Sequence, residues 1–190
     1  MTTDQALFLR DFLLQRIEEA HLVTMRVLYS IPEADGEYRP HPWSRSAREM
    51  AIHIIETELM LLNGIARGKF KREEDEMPLS FMSLAEMAQY YDEKFSAAVE
   101  SVRKLGVKPL TTYLSFYGVF RHPAVVFLTF LHDHTVHHRG QLSAYVREMG
   151  AKISMIKGVD GSFVSMGQPA MKYLWTERPA YETSDLAQAA

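Results

Sequence analysis

Four long stretches of this 190-residue chain repeat apolar side chains every three or four positions, with proline or glycine interrupting the repeat between them. That period belongs to helices buried along one stripe, and it leaves few ways to fold other than helix on helix. The first stretch runs from about Asp4 to Tyr29, with Leu14, Ile17, His21, Met25 and Leu28 along its stripe. Pro32, Gly36, Pro40 and Pro42 break the chain after it. Ser46 and Glu49 form an S-x-x-E capping box, so a second helix starts there, with Met50, Ile54, Thr57, Leu61 and Ile65 as its stripe and Gly68 as its stop. The charge run KFKREEDE, residues 69 to 76, reads as a solvated loop.

Ser83 and Glu86 repeat the capping box and open a third helix, whose stripe runs through Leu84, Met87, Tyr91, Phe95, Ala98 and Val102 to a stop at Gly106. Residues 107 to 121, rich in aromatic and β-branched types, read as an extended connector. Pro123 suits the first turn of a fourth helix that continues to about Met149 before Gly150, roughly 40 Å at 1.5 Å per residue. The expected fold is therefore all-α. Residues 1–150 form a four-helix bundle of the up-down type, and residues 151–190 form a C-terminal extension that packs on the bundle or at a dimer face and frays toward its end.

Composition narrows the function. Twenty-one basic against 24 acidic side chains, without a basic block, argue against a nucleic-acid binder that works by neutralising phosphates. No apolar run approaches the roughly 18 residues needed to span a bilayer, and the N-terminus lacks the pattern of a signal peptide, so the cytoplasm is the expected compartment. The chain has no cysteine, which removes disulfides, thiolate nucleophiles and Cys-ligated zinc together. Phosphate-cradling loops, nucleophile elbows and nucleotide fingerprints are missing too. Eight histidines are the surplus.

Those histidines concentrate in LHDHTVHHRGQL, residues 131 to 142. With about 100° per residue, His138 falls about 40° from His134, and both lie on the apolar face with Phe127, Leu131 and Tyr145. Stacking two imidazoles one turn apart lets both bind one ion, although two packed core histidines produce the same spacing. His137 falls on the flank, and His132 and Arg139 point away. On the second helix His53 sits about 60° off the stripe, toward a neighbouring helix, with Glu49 and Glu56 on its side as partners for the ring. Three histidines from two helices would hold a metal through nitrogen and leave positions open for water or substrate. His21 reads as a satisfied core histidine. His41 and His122 precede prolines and read as turn residues. Gln141 and Tyr145 share the histidine face and can donate to a ligand on the ion.

HTVHHRGQLSAYVREMG, residues 134 to 150, resembles the signature of the last bundle helix in the DinB/YfiT-like metalloproteins. AREMAIHIIETE, residues 47 to 58, is similar to the second-helix motif carrying that family's first ligand histidine. The resemblance spans about residues 5 to 150. It implies His53, His134 and His138 as ligands of a divalent metal, zinc or nickel, in a bundle that is often a homodimer. Relatives of this type include S-transferases that use low-molecular-weight thiols such as bacillithiol or mycothiol. The implied function is thus a metal-dependent, thiol-dependent S-transferase acting on small electrophiles, with the sulfur supplied from outside a chain that has no cysteine. The alternatives are a metal-dependent hydrolase and a non-catalytic metal-binding stress or scaffold protein.

Overall fold

Thr2 accepts a hydrogen bond from the backbone of Gln5 while the Gln5 side chain returns one to Thr2, and this capping box starts α1 (Thr3–Tyr29). In the computed structural model, which describes residues 2–71, 78–151 and 153, three more long helices follow. They are α2 (Ala47–Arg67), α3 (Leu84–Arg103) and α5 (Val126–Glu148); a short α4 (Val107–Thr111) precedes the last. Both capping boxes read from the sequence are present, at Ser46–Glu49 and at Ser83–Glu86. Gly68 ends α2 with φ 74°, a left-handed conformation that suits glycine. The extension expected over 151–190 lies outside the described residues except for Ala151 and Ile153.

The bundle is ordered so that α3 and α5 each pack against both α1 and α2. Named contacts fix the directions. Arg10 near the start of α1 donates to the carbonyl of Leu105, just past α3, and Glu18 further along pairs with Arg103, so these two helices are antiparallel. At the start of α2, Arg48 donates to the carbonyl of Met82, just before α3, and Glu58 meets Tyr91 one level on. Those two helices therefore run parallel, so strict up-down alternation fails between them. Apolar periodicity dictates which face is buried; it carries no information about direction.

The connector holds the other departure. Residues Tyr113–Phe116 (β1) and Phe120–Pro123 (β2) pair antiparallel, with Phe116 opposite Phe120. Tyr117 and Gly118 turn the chain with φ of 49° and 79°. Pro123 therefore ends a strand instead of opening the last helix, which starts at Val126. The hairpin exists because Phe116 and Phe120 have aromatic surface to cover: Phe70, past the end of α2, meets Phe116 at 5.3 Å and Phe127 at 4.9 Å between ring centroids. Gly64 makes room for this packing, since a methyl group there would overlap the Phe70 ring. One continuous apolar core joins the helices and the hairpin.

Candidate metal centre

His53 belongs to α2 and His134 and His138 to α5, and the two helices run antiparallel, since His53 meets His138 while Phe70, beyond the end of α2, meets Phe127 at the start of α5. The structure brings their rings together. His53 Nε2 lies 3.1 Å from His134 Nε2 and 3.2 Å from His138 Nε2. All three residues are half-buried, so their nitrogens meet in a groove between α2 and α5 rather than in a sealed core. No other cluster of this kind occurs among the described residues.

Hydrogen bonding alone does not account for this meeting. A neutral imidazole Nε2 has either one hydrogen or one lone pair, yet His53 Nε2 faces two nitrogens at once. Nitrogens bound at about 2.0–2.1 Å to one ion stand roughly 3.0–3.4 Å apart, which matches both contacts. The ring electrostatics agree. Burial, then the nearby Arg45 charge and His138, lowers His53 to about 4. Burial, followed by the neighbouring histidines and Arg45, lowers His134 to about 4. His138 is lowered chiefly by burial. The rings are thus held neutral, the form that ligates metal. A set of imidazole nitrogens without carboxylates suits a borderline transition ion better than magnesium or calcium.

The partners of these rings differ in part from the sequence expectation. His138 Nδ1 lies 2.8 Å from Gln141 Oε1, which can only accept, so Nδ1 carries the hydrogen and Nε2 the lone pair. His53 Nδ1 is 3.5 Å from the Thr57 hydroxyl, and neither expected glutamate bonds it. Glu49 is taken by Arg39 in a two-pronged pair at 2.8 Å and by the α2 cap. Burial raises the carboxyl of Glu56. Tyr145 packs edge-on against Tyr38. Arg139, expected to face outward, instead reaches back to α1 and donates to the carbonyl of Ala20 at 3.0 Å.

The remaining histidines stay outside the cluster. His21 is a core histidine as expected, buried, stacked on Phe95 and meeting Asp92 at 2.9 Å through Nε2, but it is not fully satisfied, because its buried Nδ1 has no hydrogen-bond partner. Half-buried His132 lies 3.4 Å from Asp133, while His137 is exposed beside His138. In the turn before α2, His41 accepts from the backbone of Trp43. His122 lies on β2 rather than in a turn.

Sequence reasoning missed Glu58. It is fully buried on the core side of α2, where Tyr91 donates to it from α3. Burial pushes its carboxyl up to about 8, against the opposing pull of Thr135 and Arg139. The signal was present: Glu58 falls among Ile54, Ile55, Leu61 and Leu62, where the helical repeat calls for an apolar side chain.

Comparison with known proteins gives a consistent picture. The family model described as DinB family matches residues 1–171. The chain is 27% identical over 128 residues to YjoA, an uncharacterised protein of Bacillus subtilis, which covers 67% of this chain and 82% of YjoA. A crystal structure of that DinB-like protein superposes with a TM-score of 0.65 at 23% identity, covering 76% of this chain and 96% of the other. A DinB-like protein from Bacillus cereus gives a TM-score of 0.62 at 26% identity, covering 75% and 94%.

Proposed function

Since the chain belongs to the DinB family, we propose that His53, His134 and His138 hold one divalent ion, zinc or nickel, and that the protein transfers a low-molecular-weight thiol onto small electrophiles. The observation that carries this reading is the convergence of three neutral imidazoles in a half-buried groove. Three nitrogens leave a four-coordinate ion one position for an outside ligand. An ion bound there supplies Lewis acidity, which deprotonates a coordinating thiol near neutral pH.

The chain's own residues supply position and charge. Gln141 fixes the His138 ring. Arg45, exposed just before α2, places a positive charge that reaches all three histidines and favours an anionic co-substrate. In the transfer, the thiol gives its proton to solvent and its sulfur forms a bond to carbon. The leaving group, such as chloride, departs with the electron pair of the bond that breaks. Small thiols of this kind belong to the cytoplasm, which is where the reading places the protein.

The test begins with metal analysis of protein purified without a metal-affinity tag, expected to find close to one ion per chain. His134→Ala and His138→Ala abolish it and His132→Ala does not. Cobalt-substituted protein is then titrated with bacillithiol, mycothiol, coenzyme A and glutathione. The expected result is a sulfur-to-metal charge-transfer band with one of them, and consumption of that thiol with monochlorobimane that His53→Ala stops. Ester cleavage in place of thiol binding would give the hydrolase reading. Bound metal with neither chemistry would give the scaffold.

A further inference from the structure

Along the groove, the chemistry changes in a fixed order. Arg45 stands just before α2, His53 lies two turns further on, Met60 follows, and Phe70 lies beyond the end of the helix. On the antiparallel α5 the order is Gln141, His138, His134, Phe130 and Phe127. Tyr117 at the hairpin tip joins the hairpin to α2 by donating to the Met60 sulfur at 3.2 Å. The histidines thus lie between a cationic end and an aromatic end.

Beside this aromatic end, between β2 and the first turns of α5, is a pocket of about 390 Å³, within the size range of small-molecule sites; none of the three histidines lines it. Phe120 stacks on Phe127 at 5.8 Å between centroids, and with Phe127 only 1% exposed the open surface beside them is that of Phe120, His122 and Val126. Phe130 completes the pocket at 41% exposure, a large apolar surface left open to water. The same Phe130 ring lies 6.0 Å from His134, one helical turn on, so a single side chain is both pocket wall and neighbour of the cluster. No lysine or arginine lines the pocket, whose ionisable groups are His122 and Asp133.

We infer that this pocket seats the electrophile, and that the electrophile carries a planar aromatic ring. The inference rests on the transfer reading above and names its second substrate. A ring laid against Phe120 and Phe130, whose planes are inclined by 60°, finds stacked and edge-to-face partners, which favour aromatic over aliphatic guests. Its reactive carbon then projects past Phe130 toward the histidines, where the anionic thiol arrives from the Arg45 side. The sulfur–carbon bond forms as chloride leaves with its electron pair, the thiol proton having gone to solvent.

The experiment uses the full chain, metal-loaded, with two variants. Phe130→Ala removes the shared wall, and Thr129→Trp fills the pocket from an exposed position, so misfolding is unexpected in the second. Nitrobenzene, an unreactive ring, is titrated while the Val126 methyl signals are followed by NMR. The expected result is shifts at Val126 that weaken roughly three- to tenfold in Phe130→Ala and vanish in Thr129→Trp. With the cognate thiol, turnover of 1-chloro-2,4-dinitrobenzene falls in both variants, turnover of iodoacetamide is retained, and metal content is unchanged. Shifts centred elsewhere, or equal in all three proteins, overturn the inference. Ring binding at Val126 without thiol transfer supports the pocket and overturns the transfer reading; transfer to the chloroarene that is indifferent to both variants does the reverse.

Discussion

Gln141 Oε1 accepts the Nδ1 hydrogen of His138 at 2.8 Å, three residues along the same helix. That bond leaves the Nε2 lone pair of His138 facing His53 and selects the tautomer an ion requires. Removing such a partner typically costs about 10–100-fold in metal affinity. Gln141→Ala should therefore weaken metal binding by that order while the fold, read by circular dichroism, is unchanged. Competition with a chromophoric chelator measures the loss, and unaltered affinity would show that the bond has no part in ligation.

Glu58 makes stability depend on pH in a definite direction. Its carboxyl titrates near 4.5 in an unfolded chain and is pushed up to about 8 by burial in the folded one. The folded state therefore holds a proton that the unfolded state has lost between those values. Its contribution is complete below about pH 4.5 and disappears as pH rises through about 8. Glu58→Gln keeps a neutral acceptor for Tyr91 and removes this dependence. Urea midpoints should show the variant gaining on the wild type from pH 5 to pH 8.5. A constant difference across that range would refute the assignment.

Much of the bundle was legible because local rules and the global fold agree. Ser46–Glu49 and Ser83–Glu86 both cap helices, and their stripes face the core. His134 and His138 share a face by spacing alone, and His53 meets them because it lies off its stripe toward α5. What was not legible depends on distant partners. Pro123 sits in a strand because residues 113–116 pair with it across a turn. Glu49 is drawn away from His53 by Arg39, ten residues earlier and outside the helix. Arg139 turns inward because a long side chain can reach a carbonyl on α1 that no helical wheel of α5 contains.

Tyr91 offers a separate test of the buried carboxyl. It is fully buried, and its hydroxyl donates to Glu58 across the α2–α3 interface. Tyr91→Phe keeps the ring and removes the donor, leaving one carboxyl oxygen without its partner. The expected loss is about 1–3 kcal/mol, the cost of stranding a buried polar group. In the Glu58→Gln background the same substitution should cost less, because an amide oxygen is cheaper to strand than a partly ionised carboxyl. Urea unfolding of the four proteins at pH 7 gives the cycle, and equal costs in both backgrounds would deny the coupling.

The hairpin depends on a residue that has no side chain. Gly64 lies in the last turns of α2, where alanine would ordinarily favour the helix by up to about 1 kcal/mol. Here its missing side chain is the space the Phe70 ring occupies, and Phe70 in turn supports Phe116 and Phe127. Gly64→Ala must displace an aromatic ring wedged between a helix and the hairpin, an overpacking that typically costs about 1–3 kcal/mol. Overpacking should win over propensity, giving a net destabilisation and a lower midpoint in thermal unfolding. The displacement should also spread outward: the Tyr117 contact with Met60 and the Phe130 wall rest on the same aromatic stack. Nitrobenzene binding, followed at the Val126 methyls, should weaken in Gly64→Ala while the three histidines keep their metal. A variant as stable as the wild type would mean that Phe70 has another place to go.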